Sequence, residues 1–132
     1  MELNPRLPIL GSVVFVNVGP IKHRGVLSRD PDGSPTVISN SRRAGGVAEE
    51  SLDEFAGSRP VHHEGFLGNL SPEAVISRAR LCLGQRWNLW SWNCDHFVTW
   101  AHGLTPRSPQ LRGAVICCSL ALVAVVAIPR TR

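Results

Sequence analysis

Cys94 is the residue of this chain best placed by type and neighbours to do chemistry. It follows Asn93, precedes Asp95 and His96, and lies in the run "SWNCDHFVTWAHG" at 91–103. A thiol attacks an acyl carbonyl as the thiolate, so a working cysteine needs a lowered pKa and a base for its proton. The first turn of a helix meets part of that need, because unpaired N–H groups and the positive dipole end favour an anion. Histidine is the usual base, and the chain has five: His23, His62, His63, His96 and His102. His96 stands two positions from Cys94, about 200° round a helix, so the two cannot pair directly. A hydrogen-bonded packing role is expected for it. His102 falls at a helix carboxyl end, where a cation is favourable without any function. His62 and His63 alternate across an expected edge strand and either is free to face solvent. His23 begins a strand, a usual place for a side chain aimed at a site. The competing reading of Cys94 is an inert core thiol, as a lone helical cysteine commonly is.

The elements that would position these groups are readable from pattern. "SVVFVNV" (12–18) is β-branched and apolar, hence a buried strand, stopped by Gly19-Pro20. "RGVLS" (24–28) and "TVISN" (36–40) are two further strands, separated by the turn-forming "RDPDGSP". Residues 41–50 read as a polar, glycine-containing loop. "SLDEFAG" (51–57) has a capping Ser51, acidic Asp53 and Glu54, and a stop at Gly57, which predicts a short helix. "RPVHH" (59–63) fits an edge strand, where Pro60 is tolerated. From 70 to 84 the signal is a helix, with Ser71 as N-cap, Pro72 at the first position and Gly84 at the end. Val75, Ala79 and Cys82 share its inner face, widened by Ile76 and Leu83. A helix from about Trp92 to His102 follows, with Cys94, Phe97, Val98 and Ala101 on one face.

The 132 residues suffice for one domain with its own core, and 43% hydrophobic against 18% charged residues excludes a disordered chain. A net charge of +4 permits an anionic partner. The basic residues are scattered, without the dense stripe and stacking aromatics of a nucleic-acid surface, so no nucleic-acid partner is expected. Cys82, Cys94, Cys117 and Cys118 show no zinc-type spacing and no good disulfide pair, and "MELNPRLPILG" lacks a signal-peptide pattern. Reduced thiols, an intracellular setting, no metal and no cofactor are therefore expected. Ala114 to Ile128 is a run of 15 residues without a charge, flanked by arginines. As a helix it covers about 22 Å, short of a bilayer core of about 30 Å, yet it is apolar all round. The expectation is a domain over 1–112 and a hydrophobic tail over 113–132 that associates with a membrane through 113–129. Cys117 and Cys118 at its head invite comparison with reversible acylation sites, or serve as small apolar residues.

"NCDHFV" at 93–98, with "HRGV" at 23–26 some seventy residues earlier, resembles the lecithin–retinol acyltransferase family. Its typical pair is a histidine in an "HWGIYV"-like strand and a cysteine in "NCEHF". "GSVVFV", "ESLDEFAGSRPV" and "SPEAVISRARLCLGQRWNLWSWNC" are similar as well, so the resemblance spans about residues 10 to 112. It implies an α+β fold: a small antiparallel sheet packed on helices, a circularly permuted relative of papain-like thiol hydrolases. It also implies Cys94 as nucleophile, His23 as general base, Asn93 shaping the turn before the helix, and His96 as a structural residue. A carboxyl-terminal hydrophobic helix occurs in vertebrate members too, which supports a membrane-associated protein with its catalytic domain facing the cytosol. Three departures stand out. Where many members have a second histidine to orient the base, this chain has Ser39 or Asn40. Either offers an oxygen to an imidazole N–H, but neither carries a carboxylate charge. Arg24 and Leu27 replace aromatic residues, and Asp95 replaces glutamate.

The expected function is therefore a thiol acyltransferase or acyl hydrolase acting on phospholipid or related acyl esters through a Cys94 thioester. The alternatives are a membrane-anchored interaction domain of the same fold with weak or no turnover, and a thiol peptidase or amidase.

Overall fold

The computed structural model describes residues 9–126, with side chains described to residue 118. The expected leader-free start at 1–8 and the end of the tail at 127–132 lie outside the described residues. Five strands form one antiparallel sheet: β1 (Val13–Val18), β2 (Ile21–Arg29), β3 (Pro35–Ser41), β4 (Gly46–Ser51) and β5 (His62–Gly65), in the order β4-β3-β2-β1-β5. Four helices accompany them: α1 (Leu52–Ala56), α2 (Pro72–Leu81), α3 (Cys94–Ala101) and α4 (Pro109–Val126). The α+β class and the small antiparallel sheet are as the sequence predicts.

The middle of the sheet is covered on both faces, and β1 and the centre of β3 are accordingly rich in β-branched residues. Val13, Val26, Ile38 and Val47 face α2 and α3, where they meet Val75, Ala79, Phe97, Val98 and Ala101. Val14, Val16, Leu27 and Val37 point the other way, onto Phe55 and Ala56 of α1. Fully burying each such Val, Ile or Phe contributes roughly 1.5–3 kcal/mol. The caps are those expected: the Ser51 hydroxyl accepts from the Glu54 N–H, and that of Ser71 from the Ala74 N–H.

Residues 41–50 are not a loop throughout. From Gly46 they form β4, which pairs with β3 from Thr36↔Ser51 to Ser41↔Gly46. Val47 is its inward residue, and Glu49 and Glu50 are held by Arg80 and Arg43. An edge strand whose charges are answered from outside itself reads as loop in one dimension. Leu83, expected on the apolar face of α2, lies beyond the end of that helix and is exposed.

The sheet has one opening that matters for function. Strands β2 and β3 pair from Arg29↔Pro35 to Gly25↔Ser39 and then part. Residues 21–24 of β2 continue against β1 alone, while Asn40 and Ser41 continue against β4 alone. Gly25 sits where they part. A Cβ there would collide with the Val37 side chain and press on the Ile38 carbonyl, so glycine lets β3 approach closely before it diverges.

No helix among the described residues is long and apolar enough to cross a membrane. Most of the segment expected to associate with a membrane, 113–129, has side chains that lie outside the described residues. α4 is 18 residues long but opens with Gln110 and Arg112, and at 1.5 Å per residue spans about 27 Å. It runs unbroken through the boundary expected at 112.

Candidate functional site

Cys94 is the first residue of α3, and the helix starts there rather than at Trp92 because Asn93 caps it. The Asn93 side-chain oxygen accepts from the N–H groups of Asp95 and His96, at 2.9 and 3.2 Å. His96 returns the bond: its Nδ1 accepts from the Asn93 N–H at 3.1 Å. His96 is therefore a capping residue, the structural role expected. The backbone N–H of Cys94 itself takes part in no hydrogen bond among the described residues, as befits the first helical position.

Cys94 enters the wedge where β2 and β3 part. Its thiol points at the carbonyl oxygen of Lys22, Sγ to O 3.7 Å, and the Arg24 N–H acts on the same sulfur. Those two backbone groups flank His23 along β2. Alternation sends the His23 side chain to the α1 face, where its ring packs on Phe55, centroids 5.1 Å apart and tilted by 31°. Cys94 and His23 both line a cavity of about 870 Å³, walled by apolar side chains such as Val16, Val18, Phe55, Leu89 and Leu111, with Arg42, Arg43 and Arg59 also among its lining residues. No hydrogen bond joins the imidazole to the sulfur among the described residues.

Burial pushes the Cys94 thiol above its ordinary value; the Arg24 N–H works against this, the Asp95 charge adds to it, and the Arg24 charge and Asp95 N–H oppose it. The lowered thiol pKa expected of a helix start is thus overturned, because desolvation outweighs the amides. Burial likewise lowers His23, with the Glu50 charge opposing and the Arg43 charge assisting. Both groups are neutral at pH 7, which suits transfer of a proton during attack rather than a standing ion pair.

Of the two residues expected opposite the base, Ser39 shares the face of His23 and is buried across from Gly25. Its hydroxyl makes no hydrogen bond to the imidazole. Asn40 lies on the opposite face, and its Nδ2 donates to the carbonyls of Trp92 and Asn93 at 2.7 and 3.3 Å. Its position holds the entry to α3, and it makes no contact with His23 through a hydrogen bond. His62 stacks on Phe15 at 5.0 Å and the His63 Nε2 meets the Ser12 hydroxyl at 3.0 Å, both away from Cys94. His102, expected as a cation at a helix end, is buried at the end of α3; burial lowers it to about 4, and its Nδ1 accepts from the Leu67 N–H at 3.3 Å.

A polar network beside Cys94 has no counterpart in the sequence reading. Asp95, 1% exposed, receives Arg24 at 3.3 Å, the Ser108 hydroxyl at 2.9 Å and the Gln110 Nε2 at 2.9 Å. Arg24 also binds Glu64 at 2.6 Å. Two departures from the family pattern, Arg24 and Asp95, thus pair with each other. Opposite charges at two departed positions were the available signal; nothing pointed to Gln110. No group of three or more His, Cys, Asp or Glu side chains suited to a metal occurs among the described residues.

A thiol at a helix start, set against the strand backbone on either side of His23, and a cavity that both residues line belong to a small α+β domain. Within that class the family is shown directly. A model of the lecithin retinol acyltransferase family matches residues 12–104, well over half of the chain, and the chain belongs to that family. No curated protein matches it significantly.

Proposed function

We propose that the chain is a thiol acyltransferase or acyl hydrolase acting on phospholipid or related acyl esters. Membership of the lecithin retinol acyltransferase family points to acyltransferase- or phospholipase-like chemistry on lipid acyl groups. The observation that carries the proposal is the shared cavity, about 870 Å³ and mostly apolar, that Cys94 and His23 both line. This is within the size range of sites for elongated apolar ligands. Three arginines line it too, a chemistry suited to a phosphodiester beside an acyl chain.

In the proposed reaction the Cys94 proton passes to the His23 imidazole as the sulfur attacks the ester carbonyl carbon. Thiol–imidazole bonds are often long before substrate is bound and tighten around it. The developing oxyanion is met by the unused N–H of Cys94 at the start of α3. The tetrahedral intermediate expels the alcohol oxygen, which takes the proton from His23, and leaves a thioester. Water or an amine, deprotonated by His23, then attacks the thioester carbonyl and the sulfur departs with its proton restored. The fold is proposed to be a circularly permuted relative of papain-like hydrolases, with the domain over 1–112. The tail is proposed to hold it at a membrane surface, with the site facing the cytosol.

The test is incubation of the full chain with phosphatidylcholine labelled in the acyl chains. The proposal expects a hydroxylamine-sensitive adduct on the native protein and none on Cys94→Ala. No adduct on the native chain, or the same adduct on the variant, rejects it. The neutral thiol and the missing hydrogen-bond partner of His23 support a second reading, an interaction domain of the same fold without turnover. It expects no adduct on the native chain and the same absence on Cys94→Ala.

A further inference from the structure

The overhang of β2 leaves the N–H and C=O of Lys22 facing away from β1 with no strand to meet them. A side chain takes the place of that strand. The Gln110 Oε1 accepts from the Lys22 N–H at 2.8 Å, and its Nε2 donates to the Lys22 carbonyl at 2.9 Å. The same Nε2 also donates to Asp95 Oδ1 at 2.9 Å, and the Gln110 backbone N–H reaches Asp95 Oδ2 at 3.3 Å. One primary amide therefore ties the second residue of α4 to β2 and to α3.

The Lys22 carbonyl is the oxygen at which the Cys94 thiol points. A hydrogen bond donated by S–H stabilises the protonated thiol, and an amide N–H drawing on the same oxygen weakens it. The bond from Nε2 to Asp95 also spreads a negative charge that lies next to the sulfur in sequence and opposes the thiolate. Resting on the reading of Cys94 as nucleophile, we propose that Gln110 is a positioning residue that eases loss of the Cys94 proton. It makes the reactivity of the thiol depend on where the first turn of α4 sits. The charged groups about this point are Asp95 on α3, Lys22, His23 and Arg24 on β2, and Glu64 of β5 behind Arg24. Glu50 and Arg43 act on His23 from the β4 side.

The experiment measures Cys94 alkylation by iodoacetamide against pH in the full chain, read as modification of the peptide that carries Cys94. Native protein is compared with Gln110→Met, which keeps length and volume without the hydrogen bonds, and with Gln110→Glu, which keeps the shape, loses both donors and adds a charge. The alkylation midpoint is expected to rise by about half a pH unit in Gln110→Met, roughly threefold in rate at fixed pH, and by more in Gln110→Glu. In ester turnover, kcat falls with KM nearly unchanged. Profiles that superimpose on the native one in folded variants, whatever their melting temperature, overturn the proposal. Ester turnover that survives in Cys94→Ala instead rejects the reading of the nucleophile, while the alkylation profiles still decide the role of Gln110. If Gln110→Glu does not fold, Gln110→Met decides alone.

Discussion

Cys94 is fixed at the head of α3 by a reciprocal cap between Asn93 and His96, by Asn40 on the preceding carbonyls and by the Asp95–Gln110–Lys22 network, whereas the His23 imidazole makes no side-chain hydrogen bond among the described residues and is placed by packing, with the ring of Phe55 against it. The nucleophile side is built from directional bonds and the base side from packing. Packing keeps a ring in a plane but leaves its rotation about that plane weakly defined, and alignment of a base is worth orders of magnitude in rate. The comparison teaches that the fold fixes the thiol more firmly than the imidazole, so that under the proposed function the alignment of His23 would come in part from the bound ester.

The largest test of that asymmetry is the base itself. His23→Gln is expected to lower acyl turnover by roughly 10²- to 10⁴-fold, while alkylation of Cys94 at high pH stays close to native, because the thiol is held without the imidazole. Equal loss of both would dissolve the distinction. Next comes the thiol side: Asn40→Ala removes the two hydrogen bonds that anchor the entry to α3, one of them fully buried, and is expected to destabilise the fold by about 1–3 kcal/mol in urea denaturation. A neutral result would mean that the cap at Asn93 suffices.

The pH dependence sharpens the same contrast. His23, lowered from 6.5, keeps its basic form below that pH, and Cys94, raised from 9.0, keeps its proton beyond it. Turnover as kcat/KM should therefore be flat between these values and fall only at pH below 6.5. Alkylation of the free thiol should reach its midpoint above pH 9. Alkylation that is already complete near pH 7 would show a standing thiolate and contradict this. The smallest effect is expected at the base side: Ser39→Ala should change turnover by less than about threefold, since its hydroxyl makes no hydrogen bond to the imidazole. A larger loss would show that Ser39 orients His23 once the ester is bound.

The sequence was most readable where burial is dense and local. Val13 to Val18 and Thr36 to Asn40 announce themselves as strands because both faces are covered, and Ser51 and Ser71 announce helices because a cap acts within three residues. β4 escaped because Glu49 and Glu50 take their partners from Arg80 and Arg43, which no local pattern records. Of the site, Cys94, His23, Asn93 and His96 were legible through motif and spacing. The state of the thiol was not, since a helix start is visible in sequence whereas the depth of burial is not. His102 was misread for the same reason: the segment that buries it includes Leu67, 35 residues away. Between pH 6.5 and about 4 its unfolded form binds the proton more readily than the folded one, so stability should be lost as the pH drops across that interval.

The parting of β2 and β3 also sets a condition on the rest of the chain. A bare strand margin invites pairing with another molecule, and here the plug is supplied by residues that begin only at Cys94 and Gln110. A polypeptide shortened to end ahead of Ser108 would keep every strand yet uncover that margin, and its first fault would be self-association in solution, ahead of any loss of secondary structure.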